Sequence, residues 1–270
     1  DKPKTNIRKR LEMYPEYKAG RKPAPEDFKL QVPVLQKLLQ AFGWPLYELD
    51  DYEADDIMGT LAVQARKKDV ETLLVTSDLD MLQLVNSHTH VYALKTGLSN
   101  IELYSPKSFE AKYGILVNQF LDLKALKGDS SDNIPGVKGI GEKTATFLIS
   151  TFKSLDGLYK AIEGKDKVEG IKPGQLKKLQ AGKADAYLAQ DLVTIDCNVP
   201  VKFSFEDAAF SQYRVQDVLP TFQKLGFKSL INRLPKPTGT DAAPNVDLPA
   251  VKYHYVTTEK AADALAKTLS

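Results

Sequence analysis

One cysteine, three histidines and one tryptophan are all that 270 residues contain of these types. A lone thiol excludes an internal disulfide framework and fits a reducing, cytoplasmic setting. Cys197 lies within 193–199, which reads as a strand, so a small buried side chain is expected there and not a nucleophile. His88, His90 and His254 have no metal-type spacing with one another or with Cys197, which argues against a zinc centre. No run of about 18 apolar residues occurs, so no membrane span is expected. The opening Asp1-Lys2-Pro3-Lys4 lacks a signal-peptide pattern and an initial Met, which is the pattern expected of a fragment or processed piece.

Net charge is also nearly absent, at +2, but it is unevenly distributed. Residues 1–22 hold eight Lys or Arg against three acids, a net +5, and residues 165–183 hold six Lys against two acids, a net +4. Two basic blocks around a dense acidic cluster fit an anionic polymer lying across metal ions.

The stretch Lys127-Gly128-Asp129-Ser130-Ser131-Asp132-Asn133-Ile134-Pro135-Gly136-Val137-Lys138-Gly139-Ile140-Gly141 organises the rest. Two acids three apart lead into a glycine-punctuated turn that opens onto a helix over 142–152. Glycines 136, 139 and 141 permit positive φ and close backbone approach, so that successive N–H groups can face a phosphate at the next helix. That is the requirement of a helix-hairpin-helix that grips a nucleic-acid backbone without reading its sequence. Turn glycines alone would support only an ordinary helical connection; Asp129 and Asp132 change the balance, because carboxylates beside a phosphate site repel the ligand unless a cation lies between.

Taken in order, Pro23, Pro25 and Asp27 announce a helix whose apolar face runs from Phe28 to Phe42, and 45–49 alternates like a short strand. Glu53, Asp55 and Asp56 open the next helix, where acids are also favoured by the helix dipole. Residues 70–76 read as a buried strand, with Asp78 and Asp80 at its carboxyl end, the edge at which open α/β sheets bind ligands. A hairpin is expected around Thr96-Gly97, helices follow at 106–113 and 119–126, and after the glycine turn at 142–152, 154–163, 173–181 and 183–192. Residues 199–205 read as a strand, 215–225 as a helix, 235–249 as a Pro-rich linker, and 250–270 as the start of another domain.

Seven acids thus fall in three clusters at element ends: Glu53, Asp55 and Asp56; Asp78 and Asp80; Asp129 and Asp132. If they converge, their repulsion requires divalent cations, and oxygen ligands without His or Cys favour Mg²⁺ or Mn²⁺. Two such ions would activate a water and stabilise the leaving oxygen of a phosphodiester. Lys18 and Arg21 would contact the scissile phosphate.

Tyr17-Lys18-Ala19-Gly20-Arg21, Glu53-Ala54-Asp55-Asp56, Thr76-Ser77-Asp78-Leu79-Asp80 and the 128–145 motif occur in this order. Together they resemble the 5′-nuclease domain of bacterial DNA polymerase I, a relative of the flap endonucleases, over residues 1–234. The resemblance implies an α/β core with a mainly parallel sheet flanked by helices, PIN-like, over 1–115, and a helix-hairpin-helix region over 116–234. It further implies a linker at 235–249 and the entry to a 3′-5′ exonuclease-like domain at 250–270. It implies a structure-selective, Mg²⁺-dependent nuclease that removes 5′ flaps and RNA primers in replication and repair, acting as a monomer on flapped, nicked or primed DNA.

By this likeness the seven acids are metal ligands, with Asp1 a further candidate from its spacing to Arg8. Lys18 and Arg21 match the basic pair of the helical arch. Arg8, Gly136, Val137, Lys138, Gly139, Ile140, Gly141, Lys143 and Thr144 hold the duplex, with a bound K⁺ bridging to phosphate. Two departures stand out: the family's opening strand and first metal-binding Asp lie upstream of residue 1, and Leu79 replaces a common Lys. The rival readings are a non-catalytic DNA-binding module and a Mg²⁺-dependent phosphatase on a doubly wound sheet.

Overall fold

The structure is a computed structural model that describes residues 1–2, 5–96, 100–209, 213, 215–234, 258 and 267. The expected linker at 235–249, the strand and nearly all of the helix expected beyond it, and the hairpin tip at 97–99 lie outside the described residues. The chain divides into two compact units, residues 1–32 with 45–209, and residues 33–44 with 210–270.

In chain order, α1 (Arg8–Met13), α2 (Glu26–Ala41) and α3 (Ala54–Lys67) precede β1 (Thr72–Thr76). A 3-10 turn over Leu79–Leu84 leads to β2 (Thr89–Thr96) and β3 (Asn100–Tyr104). Helices α4 (Pro106–Tyr113), α5 (Phe120–Lys127), α6 (Glu142–Phe152), α7 (Leu155–Ile162), α8 (Pro173–Ala181), α9 (Lys183–Val193), α10 (Val215–Lys224) and α11 (Lys228–Ile231) follow.

The described sheet has the order β1-β2-β3. β1 runs parallel to β2, with Leu74 opposite Val91, and β2 runs antiparallel to β3, with Val91 opposite Tyr104. One of its two pairings is therefore parallel. The alternation of a strand sends successive side chains to opposite faces, so Leu74, Val91, Ala93 and Tyr104 are buried while Leu73, Val75 and Leu103 are exposed. The 70–76 run, read as a wholly buried strand, buries one face only.

The main core joins this face to the helical half: Met81, Leu82, Phe109, Leu123, Leu126, Leu148, Ile149, Leu158 and Leu179 are all nearly inaccessible. The helix starts follow local chemistry. Ser105 and Ser108 form a reciprocal capping box at α4 with Pro106 in its first turn, and the Ser154 hydroxyl accepts from the Gly157 N–H at α7.

Three strand expectations are not met: residues 45–49 and 199–205 are irregular, and of 193–199 Val193 closes α9 while the rest is irregular. Their groups are satisfied otherwise. The Val199 N–H donates to the Thr60 hydroxyl, the Ile195 N–H donates to the Gln83 side chain, and Tyr47 packs edge-on to Phe203. In the second unit, Tyr213, Val218 and Phe222 gather Leu38, Phe42 and Ile231 into a small cluster.

Candidate active site

Three stretches of chain bring acids to one place, and a fourth closes over them. Glu53 is the N-cap residue of α3, and Asp55 and Asp56 occupy its first turn. Asp78 sits just past β1, where its carboxylate accepts from the Asp80 N–H at 2.8 Å and caps the 3-10 turn. Asp129 follows α5, and the loop from Gly128 to Gly136 is pinned by paired bonds between Asp129 and Ile134.

Gly128 (φ 72°) and Gly136 approach so closely that a Cβ on Gly136 would lie 2.4 Å from the Gly128 nitrogen. Only glycine fits either position. The N-terminal segment closes the fourth side: the Lys18 N–H donates to the Asp132 carbonyl at 2.8 Å, and the Asn133 amide donates to the Glu16 carbonyl at 2.8 Å.

Two lysines lie among these acids. Lys18 pairs with Glu53 and reaches Asp132 at 3.7 Å, and Tyr17 donates to Glu53 at 2.8 Å. Lys124 pairs with Asp80 at 2.7 Å and with Asp129 at 2.6 Å. Arg21 pairs with Asp132. Lys18 and Arg21, expected at the scissile phosphate, here neutralise carboxylates. Asp55 and Asp78 have no Lys or Arg within ion-pair distance among the described residues.

Burial, and then the nearby Asp78 and Glu53 charges, push the Asp55 carboxyl up to about 6. Burial also raises Asp80 against the pull of Lys124. Asp129 is penalised by burial too, but bonds from Lys124 and Ser131 bring it down to about 2.

Asp56 departs from the expected ligand role. Its Oδ1 accepts from Arg10 at 2.8 Å and from the Asp196 N–H at 3.0 Å; its Oδ2 accepts from Arg10 at 2.8 Å and from the Glu53 N–H at 2.9 Å. Four donors fill the carboxylate's lone-pair sites, so Asp56 serves as a structural anchor. Asp1 lies at the start of α3, accepting from the Ala54 N–H at 2.6 Å.

Sequence reasoning missed three residues. Arg10 is buried, spans Asp56 and Glu53, and donates to the Leu192 and Thr194 carbonyls where α9 ends. Tyr17 is 4% exposed, and Lys124 is 8% exposed. Arg10 lies within a basic block that does not single it out, Tyr17 carries no charge to mark it within its motif, and nothing in the sequence distinguishes Lys124 from Lys127, the other lysine of α5.

Among the described residues, no three His, Cys, Asp or Glu side chains stand ready-made as a metal cage. Lys18 and Lys124 occupy the spaces between the acids. The donor set still fits a hard divalent cation, because it is all carboxylate and because Asp55, raised by burial and by the Asp78 and Glu53 charges, has no ion-pair partner among the described residues.

The hairpin differs from expectation in detail. Of its three glycines only Gly139 has positive φ, at 81°. Val137 and Ile140 are core residues whose N–H groups donate to the Leu126 and Val137 carbonyls, so neither is available to a phosphate. Lys138, Gly139, Gly141 and Lys143 are exposed, Thr144 is half-buried, and Gly141 opens α6, whose first N–H groups have no intrahelical acceptor. Arg8, expected on DNA, pairs with Asp51 at 2.5 Å.

A sheet edge lined with carboxylates and joined to a helical hairpin defines a class of nucleases. Residues 1–114 match the 5′-3′ exonuclease N-terminal resolvase-like domain, and residues 115–216 match the 5′-3′ exonuclease C-terminal SAM fold. The chain belongs to the 5′-3′ exonuclease family.

It is 38% identical over 258 residues to DNA polymerase I of Bacillus caldotenax, covering 95% of this chain and 29% of that protein. It is 39% identical over 230 residues to DNA polymerase I of Bacillus subtilis (strain 168), covering 85% and 25%. The chain thus spans little more than a quarter of these relatives. Its fold resembles the T5 D15 protein co-crystallised with metal ions, at TM-score 0.59 and 22% identity over 83% of this chain and 80% of that one. It also resembles the catalytic core of Rad2 in complex with DNA substrate, at TM-score 0.51 and 18% identity over 82% and 70%.

Proposed function

We propose that this chain is a divalent-metal-dependent, structure-selective nuclease acting on DNA and RNA-primer phosphodiesters near 5′ ends, within a DNA polymerase I used in primer removal and repair. The observation that carries this reading is the convergence of acids from three separate stretches, Glu53 and Asp132 joined through Lys18, Asp80 and Asp129 joined through Lys124, with Asp55 and Asp78 beside them. These six are the proposed ligands, with Asp1 at their margin and Asp56 holding α3 in place through Arg10. Relatives' structures contain metal ions in the T5 D15 protein and DNA substrate in Rad2.

Mg²⁺ or Mn²⁺, as two ions, would supply an activated water and neutralise charge on the phosphate. The chain's own part is to hold the acids convergent and to present Lys18 and Arg21 from the N-terminal segment. Those cations must exchange a carboxylate for a phosphate oxygen as substrate enters, a trade that the added divalent charge favours. The exposed Lys138, Gly139, Gly141 and Lys143, with the half-buried Thr144, would hold the duplex through their backbone, with K⁺ shared between backbone and phosphate. Action as a cytoplasmic monomer belongs to the same reading.

Cleavage of a 5′-flap DNA with Mg²⁺, compared with EDTA, is the test, using this chain and one extended upstream. Loss of cutting but not of binding in D129A supports the nuclease reading. Mg²⁺-independent binding with no cutting by either chain would leave the rival, a DNA-binding module.

A further inference from the structure

Lys124 has no place in the chemistry above, yet its surroundings are unusual. It is 8% exposed, projects from α5, and bridges two acids 49 positions apart, Asp80 at 2.7 Å and Asp129 at 2.6 Å. A buried ammonium is costly unless paired and hydrogen-bonded, and here both partners are proposed metal ligands. The same side chain therefore gathers the ligands and occupies the positive charge's place among them. Lys18 does so between Glu53 and Asp132, but from the N-terminal segment, whereas Lys124 sits on α5, a helix whose residues are mostly buried.

We infer that Lys124 is an internal counter-cation that keeps Asp80 and Asp129 together before metal enters and competes with the divalent ion for them, so that it sets the site's metal affinity. The inference rests on the reading of the acid cluster as a divalent-cation site. Its two consequences pull in opposite directions. Removing the charge leaves two half-buried carboxylates close together with no cation between them, which destabilises the metal-free protein. It also removes a positive charge from beside the incoming ion, which tightens metal binding. A lysine that merely packed the helix would produce the first effect without the second. Lys124 is thus a positioning residue with an energetic setting of its own.

The test measures Mn²⁺ affinity by calorimetry at fixed pH, and thermal midpoints in EDTA and in Mn²⁺, for wild type, K124R, K124Q and K124M. K124M has similar reach with no charge, and K124Q keeps a hydrogen-bond donor if K124M does not fold. The expected result is Mn²⁺ binding roughly tenfold tighter in K124Q and K124M, near wild type in K124R, with a lower midpoint in EDTA and a larger rise on adding Mn²⁺. Equal affinities across the series, or weaker binding in the neutral variants, would overturn the inference while leaving the metal site standing. A wild type that binds no Mn²⁺ would overturn the divalent-cation reading, and this inference with it.

Discussion

At the scale of single residues, the acids of this site are held by different means. Asp56 is saturated by four donors, Asp129 is stabilised by Lys124 and Ser131, and Asp55 is neither. A carboxyl whose folded-state value rises from 3.8 to about 6 favours folding only while protonated. Its contribution is complete below 3.8 and is lost as pH rises through about 6, so at neutral pH the ionised group opposes folding by up to about 3 kcal/mol before solvent screening. D55N is therefore expected to raise the thermal midpoint of the metal-free protein at pH 7 by several degrees while abolishing Mg²⁺-dependent cleavage. Melting curves in EDTA and a flap-cutting assay read the two effects, and a D55N protein less stable than wild type would contradict the charge-crowding account. This is the pattern in which a site is held against the stability optimum for the sake of function.

At the scale of elements, helices with strong end signals were legible and irregular segments were not. α6 and α8 match their expected spans, because a glycine turn and a Lys-Pro-Gly start fix where each begins. Residues 193–205 read as strands but find side-chain partners such as Thr60 and Gln83 in place of a ladder, which no local pattern reveals. The carboxylate set was legible from clustering at element ends. The commitment of Asp56 to Arg10 was not, since it depends on a contact across 46 positions. The hairpin glycines also separate by role: a Cβ on Gly136 would strike backbone at 2.4 Å, whereas one on Gly141 meets nothing within 4 Å. G136A should lose about 3 kcal/mol or more in urea denaturation and G141A about 1 kcal/mol or less; similar losses would mean that the loop can relax. Elsewhere, Glu102 on β3 pairs with Lys112 of α4 and Lys95 of β2, and bonds from Lys112 first and Lys95 second lower it to about 2. Its stabilisation is complete above 4.5 and is lost as pH falls through about 2. The partners are partly exposed, so E102Q should cost about 1 kcal/mol or less at pH 7, with the difference closing as the pH approaches 2.

At the scale of the whole molecule, a net charge of +2 gives no general attraction for a polyanion, so DNA affinity has to come from where the lysines lie. The acid cluster repels a phosphate backbone in the absence of divalent ions, whereas Lys138 and Lys143 stand exposed beside the hairpin. Each lysine that neutralises a phosphate releases counterions, which steepens the fall of affinity with salt by about 0.9 in the logarithmic slope. Replacing both Lys138 and Lys143 by Ala should lower that slope by roughly 2 and weaken duplex binding for every sequence equally, since backbone contacts carry no base information. D55N should leave the slope unchanged, because Asp55 touches no duplex phosphate on this account. Fluorescence anisotropy on one labelled duplex in EDTA, over a series of salt concentrations, measures all three proteins. An unchanged slope in the double lysine variant would move the duplex away from the hairpin and towards the basic segment at 165–183, whose six lysines would then have to supply the contacts.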